Sequence, residues 1–308
     1  MNSKKSGVLF MLIGLIYVAV EAVLILTPYG DKIDTMGSMV LSELMIIVPC
    51  LLVFAFAHEG PVEVFALKGI KPGTIPFIII ATVLLFPLTS CLNMSTLFFT
   101  ENRAGEIFVQ LSDVPSWMFV AFAAVAGPIF EELAFRGIIY RGLRKDGSAL
   151  QAVLISALLF GLFHMNLNQM VYATALGILF ALLRETTGSV LASIIAHITV
   201  NSEGVLSLVL SGMEAEEVEE AEQLLTTDLL SQALALMLVI ALFGTALALG
   251  MVIYIAKREG KLDRLEGVLT NAKSEHGRVV NVPMIIGSAI SVACIVLLLV
   301  LQFLKDKA

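Results

Sequence analysis

The chain is 308 residues long, 58% apolar and 15% charged, with a mean hydropathy of +0.94. A soluble domain would carry about 25% charged residues, so this composition excludes a water-soluble enzyme and indicates repeated membrane spans. The net charge of −7, with no basic patch interleaved with aromatics, argues against nucleic acid as a partner.

The apolar segments are apolar on every face and do not alternate as barrel strands would. The expected class is therefore an all-α polytopic membrane protein, a single integral membrane domain over 1–308 with eight or nine transmembrane helices around a helical core. In chain order the spans are placed at 8–28, 38–57, 74–92, 114–140, 149–165, 168–184, 189–211, 230–256 and 283–304. The first opens with Lys4 and Lys5, but it is long, contains Glu21 and lacks a small-x-small cleavage site, so it reads as a span and not a signal peptide. Cys50, Cys91 and Cys294 lie in or beside apolar segments without close spacing, which suggests neither a disulfide framework nor a thiolate metal site.

Basic residues fall in alternate connections: Lys4/Lys5, Lys68/Lys71, Arg141/Arg144/Lys145, Arg184, then Lys257 to Arg278. By the positive-inside rule this puts the N-terminus in the cytoplasm of a plasma membrane, with 257–282 a basic cytoplasmic loop. The acidic run 213–223 then belongs to an extracytoplasmic loop over 213–228 whose like charges keep it solvated. Thr89, Ser90 and Asn93 read as a helix-end cap, and Gly127, Gly161, Gly177 and Gly244 as close-packing positions between helices.

The chemistry concentrates in core helices over 114–211. Glu131 and Glu132 interrupt an apolar run, with Arg136 placed to pair with Glu132 at i,i+4 while Glu131 points about 100° away. Pro128 frees a carbonyl one turn earlier. His164 follows Phe160 at the end of the next span, and His197 and Asn201 share a face two spans later. Ionisable groups are costly inside a bilayer, so each is a functional-site hypothesis. Measured from the turn at Gly147, Glu131 lies sixteen residues before and His164 seventeen after. At about 1.5 Å per residue these are comparable depths. His197, nine residues past Gly188, is expected shallower unless the helices are offset.

A carboxylate and an imidazole in a dehydrated cavity can share a water and direct hydroxide at a carbonyl, and His with Asn can donate to the resulting oxyanion. Alternatively Glu131, His164 and His197 ligate one divalent metal such as zinc, although no HExxH is present. No G-x-S-x-G motif and no intramembrane aspartate pair occurs.

These three groups, the EExxxR of Glu131 to Arg136, the FxxxH of Phe160 to His164 and the HxxxN of His197 to Asn201, resemble the CPBP intramembrane endopeptidases. That family includes the CAAX prenyl endopeptidase and bacterial relatives in bacteriocin processing or self-immunity. The resemblance covers residues 114 to 211. It implies that Glu131 activates water with help from His164, that His197 and Asn201 stabilise the oxyanion, and that Glu132 with Arg136 orients the site, with metal-independent chemistry favoured. The expected partners are a peptide or membrane-protein substrate and the lipid bilayer. Two other classes stay open, a non-catalytic partner-binding or immunity protein and an ion- or proton-coupled transporter; the absence of an internal repeat weakens the last.

Overall fold

The computed structural model describes residues 2–100, 115–211, 227–270 and 279–305, and the acidic 213–223 run lies outside them. Among the described residues every regular element is a helix. In chain order they are α1 (Ser3–Leu26), α2 (Thr35–Ala55), α3 (Pro72–Thr96), α4 (116–146), α5 (Ala149–Phe163), α6 (Leu167–Thr187), α7 (Val190–Ser211), α8 (Thr227–Glu259), α9 (Leu262–Leu269) and α10 (Val282–Lys305). Each expected span coincides with one of these, with α9 and the short helical turns Gly30–Lys32 and Pro61–Val64 in addition. The stretch 257–282, expected as a loop, is thus helical in part, because α8 continues to Glu259 and α9 follows at once.

Six helices, α1, α2, α3, α6, α8 and α10, have the length and apolar character to cross a bilayer, and α5 is a shorter apolar helix. The outer ones present large apolar side chains with nothing over them, including Leu26, Leu236, Leu242, Phe243 and Leu297. Water would not tolerate such a surface, whereas lipid tails solvate it. The protein is a multi-pass membrane protein.

The helix ends follow local chemistry. Asn2 caps α1 through the Lys5 amide, Asp34 caps α2 through Gly37, and Ser148 with Gln151 forms a capping box at α5. α6 ends at Gly188, whose φ of 71° is a left-handed conformation that glycine adopts freely. α3 breaks at Leu84–Leu85, just before Pro87, which has no amide hydrogen to continue the ladder. At that break Gly244 of α8 sits so close that a Cβ there would collide with the Leu84 carbonyl.

α6 is the interior helix: every side chain from Leu179 to Val190 is buried, including Arg184 and Glu185. α5 packs along it, α4 is contacted by α1, α2, α5 and α7, and α8 closes the far side against α3 and α6. Asn93 does not cap its own helix as expected. Its amide oxygen accepts from Asn168 Nδ2 at 2.6 Å, joining α3 to α6 together with Thr96 at 2.8 Å. Such interhelical bonds matter because lipid supplies no hydrophobic force between helices. Ser3 ties the N-terminus to Asp146 at the end of α4, through both amide and hydroxyl. Lys71 bonds the Arg258 carbonyl, Arg141 pairs with Glu59, and Arg264 reaches Glu185. The basic connections expected on one side of the membrane therefore lie at one end of the bundle.

Candidate active site

The acid pair sits in a helix of unusual pitch. α4 contains two wide, i to i+5 stretches, Val120–Ala126 and Leu133–Ile139, flanking a regular segment Gly127–Glu132 that ends on Glu131 and Glu132. The amide of Tyr140 reaches back five residues to Phe135. Wide turns of this kind are rare and occur mostly at functional sites. Proline accounts for part of the first. In an i to i+5 pattern the Ala123 carbonyl would look to residue 128, which is Pro128 and has no amide hydrogen. Asn201 supplies the missing donor, its Nδ2 lying 2.8 Å from Ala123 O.

Glu132 and Arg136 pair as expected, Oε1 to Nη1 at 2.8 Å, and both side chains are fully buried. Arg136 Nη2 also donates to Gly177 O on α6 at 3.1 Å, and its guanidinium lies 4.3 Å from the Phe160 ring and 5.2 Å from that of Phe180. The cation is thus held by an acid, a carbonyl and two aromatic faces, all of which favour a planar fork over an ammonium.

His197 joins this pair. Its Nδ1 lies 3.1 Å from the same Glu132 oxygen, and its Nε2 lies 3.9 Å from Glu131 Oε2. A carboxylate only accepts, so Nδ1 carries the hydrogen and Nε2 faces Glu131. Phe180 stacks on the ring at 4.9 Å and fixes its plane. His197 is therefore not shallower than Glu131. Tyr140 hydroxyl donates to Glu185 at 2.6 Å, which sets the Gly188 turn level with Tyr140 and not with Gly147. Tyr140 is nine residues after Glu131 and His197 nine after Gly188, so the two arrive at the same depth.

His164 stands at the C-terminus of α5, where Nδ1 lies 2.9 Å from the Phe160 carbonyl. That carbonyl can only accept, which leaves Nε2 with its lone pair. Phe160 meets both imidazoles edge-on, at 5.1 Å to His164 and 5.6 Å to His197. Glu131, Glu132, Arg136 and His197 are thus brought within contact of one another, Phe160 sets His164 beside His197, and Asn201 is engaged by the Ala123 carbonyl of α4. Among the described residues no three His, Cys, Asp or Glu side chains are grouped to hold an ion, which includes the alternative ligand set Glu131, His164 and His197.

Sequence reasoning missed Glu43. This acid of α2 lies against α4: a Cβ on Gly127, one turn before Glu131, would come within 2.8 Å of its Oε1. Glu43 Oε2 and Glu131 Oε2 are both buried and without a hydrogen-bond partner among the described residues. The signal was available, since an acid within the expected span 38–57 meets the same criterion that singled out Glu131. Gly177 was legible only as a close-packing glycine, and Phe180 carried no comparable signal.

Residues 113–202, which contain all of the site apart from Glu43, match the family described as "Type II CAAX prenyl endopeptidase Rce1-like". The chain is also similar to the protein named "Putative membrane peptidase YdiL" of Bacillus subtilis (strain 168), 34% identical over 103 residues. Those residues are 33% of this chain and 41% of the relative, so the similarity spans about two-fifths of that protein. No solved structure matches the chain.

Proposed function

We propose, from the match of residues 113–202 to the Rce1-like CAAX prenyl endopeptidase family, that this protein is an intramembrane endopeptidase in which Glu131 activates the attacking water. The observation that carries the reading is Glu131 Oε2, buried, without a hydrogen-bond partner among the described residues and 3.9 Å from an imidazole nitrogen whose other side is pinned by Glu132.

In this mechanism water adds through its oxygen to the scissile carbonyl carbon and gives a proton to Glu131. Glu131 returns that proton to the leaving nitrogen as the C–N bond breaks. His164, whose Nδ1 hydrogen is spent on Phe160, offers Nε2 to the second hydrogen of the water and orients it. His197, held through Nδ1 by Glu132, faces the tetrahedral oxyanion with Nε2 and serves as its donor once that nitrogen also carries a hydrogen. The second Nδ2 hydrogen of Asn201 assists, the first being spent on Ala123. One such donor supplies about 3 kcal/mol of barrier lowering. The substrate is a membrane-associated or exported peptide. The basic end of the bundle faces the cytoplasm, which puts the N-terminus there, and the membrane is the plasma membrane.

The test compares purified wild type, Glu131→Gln and His164→Ala in proteoliposomes against a quenched-fluorescence peptide library. Wild type is expected to cleave a subset, Glu131→Gln none, and His164→Ala at least about 100-fold more slowly. Chelation is expected to leave wild-type turnover intact. Equal turnover by all three proteins ends the assignment.

A further inference from the structure

At the basic end of the bundle, the C-terminal turns of α4 and α6 and the start of α9 enclose a cavity of about 430 Å³. We propose that this cavity binds a phosphate-bearing anion, the headgroup of an acidic lipid or a soluble phosphate. Five cationic side chains line it, Arg141, Arg144, Lys145, Arg184 and Arg264, against two carboxylates, Glu59 and Glu185.

The carboxylates are already committed. Glu59 pairs with Arg141. Glu185, fully buried, accepts from the Tyr140 hydroxyl on one oxygen, and its other oxygen lies 3.3 Å from Arg144 Nε and 3.4 Å from Arg264 Nε. That leaves an excess of three positive charges facing a shared space.

Arg184 shows what the space calls for. It is 8% exposed and lines the cavity, and its Nε is buried without a hydrogen-bond partner among the described residues. The ring of Tyr140, 5.9 Å from the guanidinium, is a weak substitute for an acceptor. A desolvated cation without an acceptor is costly, whereas one facing a phosphate is not. A guanidinium fork matches phosphate oxygens in pairs, and Lys145, exposed at the rim, adds a point charge. The cavity also lies at the ends of membrane helices, the level of lipid phosphates, where basic pockets between helices take acidic headgroups. Position therefore favours the lipid source, and the chemistry admits either.

The experiment uses the full chain in phosphatidylcholine nanodiscs and reads the thermal unfolding midpoint. One arm titrates phosphatidylglycerol into the disc; the other titrates inorganic phosphate into the buffer. Wild type is expected to gain stability saturably in at least one arm. Gain with phosphatidylglycerol alone identifies the lipid, and gain with phosphate as well identifies a site open to soluble anions. Arg184→Gln and Lys145→Gln are expected to weaken the apparent affinity at least about five-fold. Lys5→Gln, an exposed charge on α1 outside the cavity, is expected to leave it unchanged. If Arg184→Gln fails to fold, Lys145→Gln decides alone. No stabilisation in either arm, an unaltered response in Lys145→Gln, or an equal loss in Lys5→Gln overturns the proposal, the last because it would reveal diffuse surface attraction.

Discussion

Replacing Arg136 by methionine keeps most of the side chain's volume and removes its charge, which isolates what the cation does. Glu132 then loses its 2.8 Å partner while fully buried, and breaking one side of such a pair costs about 3–5 kcal/mol. Loss of the guanidinium over Phe160 adds about 1–2 kcal/mol, and the Gly177 carbonyl loses a donor worth about 1 kcal/mol. The acid's loss dominates, so removing both charges should cost less than the sum of the single changes. Equilibrium unfolding in mixed micelles of wild type, Arg136→Met, Glu132→Gln and the double variant measures this directly, with an expected coupling of about 2 kcal/mol. Arg136→Lys should fall between wild type and Arg136→Met, because an ammonium cannot serve the carboxylate, the carbonyl and two rings together. An Arg136→Met protein within about 0.5 kcal/mol of wild type, or a double variant that is simply additive, would refute the reasoning.

Three further outcomes follow from single contacts. Asn201→Ala should destabilise by about 1 kcal/mol through the Ala123 carbonyl, and by less in a Pro128→Ala background that restores a backbone donor; equal losses in both backgrounds, by thermal unfolding, would break the link between the two residues. Gly177→Ala should cost about 1–3 kcal/mol, since a Cβ would sit 2.9 Å from Ala157 Cα and 3.1 Å from Arg136 Nη2; an unchanged unfolding midpoint would show that α5 and α6 are not in close contact there. The Arg141 guanidinium beside Glu59 holds its carboxyl below the usual range. The stability this adds is complete above about pH 4.3, where an unfolded glutamate titrates, and is lost as pH falls through the lower folded value. Glu59→Gln should flatten the stability curve on that acid limb, and an unchanged slope would contradict the pairing.

Much of this was legible in the chain. Runs apolar on all faces gave the helices, and acids placed among them drew attention to Glu131, Glu132 and Arg136, whose i,i+4 spacing alone fixed their pairing. The depth of His197 was not legible, because it depends on the register of α6 against α4. That register is set by Tyr140 and Glu185, two residues forty-five positions apart. Asn201 was expected as an oxyanion donor beside His197, and its bond to the Ala123 carbonyl was not foreseen because nothing local reveals that the helix opposite it is widened at a proline. The choice between metal-independent and metal chemistry was not legible on the same ground: ligand identity was readable from composition, but the direction of each ring nitrogen depends on partners such as Phe160 O and Glu132 that belong to the tertiary structure. Glu43 was overlooked for the opposite reason, being visible as an acid in a span but lacking a neighbouring motif.

The two widened stretches of α4 give it slack on either side of the acid pair and none at the pair itself. Each accommodates surplus backbone, so removing one residue from 133–139 is absorbed by tightening to regular pitch, with the flanking turns left nearly in phase. A residue removed from the regular segment Gly127–Glu132 has no such outlet: everything on one side would turn by about 100° relative to the other, carrying the glutamates away from His197. Length variation within α4 of related proteins is therefore expected in the widened stretches and not in the segment that carries the acids.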